Sequence, residues 1–305
     1  MATYPNKQAT LFPELDAELS SNLYIVGNGF DIMHGLPTRY ADFREWLIKN
    51  GDKQFVDLLN LLFPYAPDDD DNDNNYFWSD IENFLGEYRP HEIMVFCVPN
   101  GMSYKDGQKY VYAVEDGPNS IFIPALNHLF EKFKEWVDSI EVTSFCKLHL
   151  HPECLYLTFN YTETLEKIYG IPDEQVCHIH GKRKVDEEYV FGHNNLISSD
   201  QLDADYEFER KALCNIVSEM NAHVKDYIGI MKFSECFFRR ISKIKRIIVI
   251  GHSMGKIDLP YFDKLIEMVH HDVEWLFYYH SEDDLKNIIE FVNSRKIRCV
   301  KYKNI

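Results

Sequence analysis

Four stretches place glycines or polar side chains where an apolar run stops, which is where backbone can meet a ligand. Gly27-Asn28-Gly29 follows "NLYIV" and leads into Phe30-Asp31. Glycine there lets the chain turn tightly and lets a pyrophosphate approach with no Cβ in the way. A structural turn is the competing reading. A dinucleotide fingerprint would need a third glycine where Ile32 stands, and no Gly-Lys-Ser/Thr follows for a P-loop. The continuation "HGLPT", with Pro37, predicts a second tight turn folding back over the first.

The second stretch is "TFNYT". Asn160 closes an apolar run and can orient a water or a ribose hydroxyl through its amide, or merely cap the helix that follows. The third is "CHIHGK". As alternate residues of a strand, His178 and His180 point to one side and could line one cavity. His193 would be a third ligand for a metal, but no carboxylate or cysteine completes a recognisable set, and no metal is expected. His180, followed by a turn glycine, suits a general base near neutral pH. The fourth is Gly251-His252-Ser253-Met254-Gly255, which fits the nucleophile elbow G-x-S-x-G, with Asp272 and His280 downstream in the order a serine hydrolase needs. An elbow turns directly into a helix, whereas "KIDLPYF" brings Pro260 early, so the serine-hydrolase reading is secondary.

These residues need elements to hold them. "NLYIVGNGFD" reads as a strand and glycine turn, and "TRYADFREWLIKN" as a helix with Thr38 as N-cap, a stop at Asn50-Gly51, and Tyr40, Phe43, Trp46 and Leu47 on one face. Residues 53–140 are mostly helical, a helical insertion. Beyond them "CLYLTFNY", "VCHIHGK", "EYVFGHNN", "RIIVIGHSM" and "VEWLFYYH", the last strand, alternate with helical stretches. That alternation predicts an α/β, Rossmann-like, mostly parallel sheet within one domain over 1–305, with ligands at the carboxyl ends of the strands.

At 305 residues and 45% hydrophobic, the chain can bury a sizeable core. A formal net charge of -17 disfavours non-specific binding to nucleic acid or an anionic membrane. No apolar run approaches a membrane span, and the N-terminus has no signal-peptide pattern. Seven cysteines with no C-x-x-C fit a reduced, cytoplasmic protein. The acidic run Asp68–Asp71 with Asp73 lacks the EF-hand pattern and reads as a solvated loop.

Taken in order, "NLYIVGNGFDIMHGLPTRYADFREWL", "WSDIENFLG", "LTFNYTETLEKIYG", "HIHGK", "VFGHNN" and "VIGHSMGKIDLPYF" resemble the bacteriophage abortive-infection AbiH family, itself similar to sirtuin-like NAD-binding domains. The sirtuin pattern Gly-Ala-Gly-x-Ser is mirrored by Gly27-Asn28-Gly29-Phe30-Asp31, and Ala-Gly-Ile-Pro by His34-Gly35-Leu36-Pro37. Gln-Asn-Ile-Asp resembles Phe159-Asn160-Tyr161-Thr162, the catalytic His-Gly resembles His180-Gly181, and the late Gly-Thr-Ser resembles Gly251-His252-Ser253. Thr162 stands where the aspartate would be, Thr38-Arg39-Tyr40 replaces Asp-Phe-Arg, and the structural zinc cysteines are missing.

The resemblance implies NAD as substrate or ligand rather than protein deacylation. It implies hydrolysis of the nicotinamide–ribose bond, with Asn160 positioning water or ribose and His180 as base or ribose contact. Gly27 to Asp31, Pro37, Arg39 and Gly251 to Ser253 would hold the nucleotide. The alternative is a nucleotide-sensing or interaction module without catalysis. Candidate partners are NAD or a related nucleotide, a second copy of the chain, and a phage-derived or protein activator.

Overall fold

Continuous burial explains the strands. Every residue of Asn22–Val26 is buried, as is nearly all of Arg246–Ile250, and such runs belong to strands covered on both faces. The computed structural model describes residues 21–63, 77–186 and 188–305. The acidic stretch 68–73 lies outside them.

In chain order the elements begin with β1 (Asn22–Val26) and α1 (Asn28–Met33). Six helices follow: α2 (Tyr40–Lys49), α3 (Lys53–Leu62), α4 (Ile81–Gly86), α5 (Pro90–Phe96), α6 (Gln108–Gly117) and α7 (Ile123–Ser139). Next come β2 (Leu155–Thr158), α8 (Thr164–Tyr169), β3 (Val176–His178), α9 (Glu207–Ala222), α10 (Tyr227–Phe233) and α11 (Glu235–Phe238). The chain finishes with β4 (Arg246–Ile250), α12 (Leu259–Met268), β5 (Glu274–Tyr279), α13 (Glu282–Arg295) and β6 (Val300–Asn304).

The six strands form one sheet in the order β3-β2-β1-β4-β5-β6, every pair parallel. This is the Rossmann-like α/β arrangement expected from the alternation of strands and helices. Side chains alternate between two cores. Leu23, Ile25, Leu157, Ile247, Val249 and Phe277 enter one, and Tyr24, Val26, Tyr156, Ile248, Ile250 and Tyr278 the other. Strand order reverses between β1 and β4, and a crevice at the carboxyl ends of such a pair is where open α/β sheets bind ligands.

Three local readings need correction. "VEWLFYYH" is not the last strand: "VKYKN" adds β6 at the sheet edge, where exposed Lys301 and half-buried Lys303 blunt an otherwise open row of hydrogen-bonding groups. "EYVFGHNN" forms no strand, only an isolated bridge from His193 to Val224. The N-cap of α2 is Arg39 rather than Thr38, because the Asp42 carboxylate reaches back to accept the Arg39 N–H at 2.8 Å.

The described chain divides into two compact units. One comprises residues up to Thr38, Ser139–Val190 and Asp226–Ile305 and contains the whole sheet. The other comprises Arg39–Asp138 and Phe191–Lys225 and is helical, so it takes in α2 and α9 as well as the segment read as an insertion at 53–140. Its core is aromatic: Phe43 stacks on Trp136 at 5.1 Å and meets Phe133 edge-on at 5.7 Å. Within it the Lys225 ammonium lies 2.8 Å from Glu82, whose carboxylate also accepts the Gly192 N–H at 3.0 Å. Among the described residues no helix is long and apolar enough to cross a membrane.

Candidate active site

The glycine turn after β1 is packed against the exit of β4. Gly27 N–H donates to Ile250 O at 3.0 Å, Gly29 N–H to Gly251 O at 2.7 Å, and Phe30 N–H to Gly27 O at 3.0 Å. A Cβ on Gly29 would lie 2.7 Å from Gly251 Cα, and one on Gly251, which has φ +65°, would lie 2.2 Å from Phe30 N. Glycine is required here because two backbones touch. Of the N–H groups of Gly27 to Gly29 expected to meet a pyrophosphate, those of Gly27 and Gly29 are already donated within the protein.

The second turn does fold back over the first. The exposed Asn28 donates its side-chain amide to Thr38 O at 2.8 Å, and Leu36 N–H donates to Asp31 O. Pro37 is exposed on this turn, and Arg39, also exposed, begins the helical unit. Phe30 is buried in the core beside His34 and Tyr169. His34 donates from Nδ1 to Phe30 O and accepts at Nε2 from the Tyr169 hydroxyl, both at 2.7 Å. Burial pushes its pKa down, which keeps this structural imidazole neutral.

Asp31 is the most deeply buried carboxyl of the site, 1% exposed. Burial raises its pKa from 3.8 to about 6, against the lowering effect of the Thr162 hydroxyl and of the nearby Thr164, Asn160 and His178 side chains. The Thr162 hydroxyl donates to Oδ2, while Oδ1 has no hydrogen-bond partner. Thr162, just past β2, and Asp31, just past β1, thus meet across a direct hydrogen bond. Asn160, also buried, donates through Nδ2 to Gly27 O at 3.1 Å and receives the ring of His178 on its main-chain O at 2.9 Å. It ties the carboxyl ends of β1, β2 and β3 together.

His178 and His180 do not share a cavity. The strand period ends with β3 at His178, and Gly181 takes φ +91° just beyond. His178 faces Glu166 of α8 at 2.9 Å, whereas His180 turns to the opposite core, edge-on to Phe159 at 5.2 Å. His193 lies in the helical unit with Nε2 donating to Met220 O and Nδ1 accepting the Asn195 N–H, so neither nitrogen is left for a metal.

His180 Nε2 lies 3.5 Å from Asp258 Oδ1, and His252 Nε2 lies 3.4 Å from Asp258 Oδ2. Phe159, Tyr261 and Phe262 wall this group. Asp258 was missed by sequence reasoning, although "GKID" stood within a quoted motif. A buried ion pair was missed too. Arg183, 1% exposed, pairs with Glu163 and donates to Ile140 O. Burial alone would raise Glu163, but hydrogen bonds from Arg183 and Lys167 outweigh it and hold the carboxyl at about 2.

Ser253 does not sit on an elbow. It is exposed, the positive φ of +56° falls on Met254, and α12 starts only at Leu259. Asp272 and His280 lie beyond opposite ends of β5, whose six residues span roughly 20 Å at about 3.3 Å per residue, so they cannot serve one serine. Asp272 instead faces His271 at 3.3 Å on the surface.

The carboxyl edge carries a buried carboxyl and a carboxamide and, packed against the opposite core, an imidazole–carboxylate pair. Such a set can hold a polyhydroxylated ligand and move a proton near neutral pH. No curated protein matches this chain. The family Bacteriophage abortive infection AbiH matches residues 23–279, from the second residue of β1 to the end of β5, and spans the glycine turn, Asn160, His180 and Asp258. Since that is most of its length, the chain belongs to the AbiH family of bacteriophage abortive infection.

Proposed function

We propose that this protein takes NAD at the carboxyl edge of its sheet and hydrolyses the nicotinamide–ribose bond, depleting NAD when a phage infects. The observation that carries this reading is that Asp31, Asn160 and His180 follow the ends of β1, β2 and β3, with Asp31 bonded to Thr162 and Asn160 tied to Gly27 O, at the edge where such sheets bind ligands. Their chemistry suits the ribose end. Departure of nicotinamide leaves an oxocarbenium-like ribose, so a positioned water and a nearby negative charge matter more than a strong nucleophile.

In this reading the amide of Asn160 orients the ribose or the water. A proton of that water passes to His180, its oxygen bonds to the anomeric carbon, and the electron pair of the breaking C–N bond leaves with neutral nicotinamide. Asp31 supplies the carboxylate that steadies the developing positive charge. The phosphates are not assigned to the N–H groups of Gly27 and Gly29, which β4 already occupies. That same closure favours the second reading, a nucleotide-sensing module without catalysis.

Incubating the purified protein with NAD, with and without lysate from phage-infected cells, and following nicotinamide release tests both. Release that falls about a hundredfold in Asn160→Ala and His180→Ala supports the enzyme. Calorimetric binding of NAD with no release under either condition supports the sensor. Neither binding nor release sinks both.

A further inference from the structure

We infer that Asp258, backed by His252, is the positioning residue that fixes the protonation and orientation of His180; its catalytic consequence rests on the NAD-cleaving reading above. Met254 fixes the first ring. This residue adopts φ +56°, a left-handed conformation that side chains rarely take, and in doing so turns its N–H onto His252 Nδ1 at 3.0 Å. An atom that accepts an N–H must present a lone pair, so the proton of a neutral His252 is on Nε2. That N–H faces Asp258 Oδ2 at 3.4 Å.

Two consequences follow. Two histidines and a carboxylate have the composition of a metal triad, but His252 cannot be a ligand through Nε2. Freeing that nitrogen would move the proton to Nδ1 and set it against the Met254 N–H. The carboxylate is instead a counter-charge between two rings, within ion-pair distance of each but closing a hydrogen bond to neither Nε2. With Oδ2 facing His252, Oδ1 lies 3.5 Å from His180 Nε2, and this negative charge favours the His180 proton on Nε2, which makes Nδ1 its basic atom.

The group packs against apolar walls that limit screening: Phe159 from the end of β2, and Tyr261 and Phe262 from α12. The titratable groups around His180 are Asp258 and Tyr261 of the α12 segment, His252 after β4, and Tyr161 after β2. Asp258 brings a carboxylate oxygen to within 3.5 Å of its ring nitrogen. When His180 takes a proton at Nδ1, the resulting imidazolium is stabilised by the charge already facing its other side.

The test reads the two rings directly by heteronuclear NMR of histidine-labelled protein, with no substrate present. In the wild type, His252 should show a protonated Nε2 and an unprotonated Nδ1. Observation of the Nδ1–H form overturns the inference, whatever the variants do. In Asp258→Asn the titration midpoint of His180 should fall by about one pH unit or more, as removal of an adjacent opposite charge demands. An unmoved midpoint in a folded Asp258→Asn protein also overturns it.

If that variant does not fold, Asp258→Glu and the wild-type tautomer measurement still decide. Kinetics add a separate arm. Asp258→Asn should shift the acidic limb of the kcat/KM profile in the same direction and lower kcat more than it alters KM, with partial recovery in Asp258→Glu. A moved His180 midpoint in a protein that never cleaves NAD upholds this pairing and removes the enzymatic reading. Cleavage with an unmoved midpoint does the reverse.

Discussion

Asp31→Asn separates the electrical role of the buried carboxyl from its steric role. The folded chain holds the Asp31 proton up to about pH 6, against an ordinary carboxyl at 3.8, chiefly because burial penalises the charged form. Between those values the folded state binds more proton than the unfolded one, so this group weakens the fold as pH rises from about 4 to about 6. At 1.36 kcal/mol per pH unit, the difference between about 6 and 3.8 corresponds to a penalty of about 3 kcal/mol. The penalty is fully present above about pH 6 and absent below about pH 4. Asparagine keeps the shape and cannot ionise.

Its amide introduces donors where Oδ1 has no partner, which adds a roughly pH-independent cost of about 1–3 kcal/mol. The prediction therefore concerns the slope. The stability of Asp31→Asn minus that of wild type should rise by about 3 kcal/mol between about pH 4 and about pH 7.5. Glu163 and the other carboxyls titrate in both proteins and cancel in that difference. Urea unfolding at several pH values, followed by tryptophan fluorescence and circular dichroism, measures it. A flat difference across the range would refute the assignment of a buried, proton-holding carboxyl. A fall would reverse its sign.

Gly29→Ala should destabilise the fold by about 1–3 kcal/mol through overpacking against Gly251, with or without nucleotide; an unchanged unfolding midpoint would contradict the backbone contact. Arg183→Ala leaves the Glu163 carboxylate buried without its main partner and should cost about 3–5 kcal/mol at neutral pH, read from denaturant midpoints. Because Glu163 is held at about 2 rather than 4.5, its contribution is complete above about pH 4.5 and fades as pH falls toward 2; acid unfolding of wild type and Glu163→Gln should converge in that window. Ser253→Ala should leave NAD cleavage within about tenfold, and a fluorophosphonate probe should not label Ser253; labelling there would revive the serine-hydrolase reading.

The strands that form the middle of the sheet were legible because their burial is written locally. A strand covered on both faces must be apolar at nearly every position, and "LYIV", "LYL" and "IIVI" are. β6 was not, since an edge strand with lysines at Lys301 and Lys303 carries no such signature. The residue types of the site were legible for a related reason: glycine, asparagine and histidine stand out where an apolar run ends.

Their partners were not. Gly27 and Gly29 looked like room for a phosphate until β4 was placed beside β1, which brought Gly251, more than two hundred residues away, into contact with them. His178 and His180 matched a strand period that the chain abandons between them. Asp258 has no local mark at all, since a carboxylate before a helix is common, and it becomes notable only where two distant turns deliver His180 and His252 to its two oxygens. Periodicity records which way a side chain faces, a property of neighbours along the chain. What it faces is set by strand order and by where each strand stops, and those are decided when the whole sheet closes its two cores.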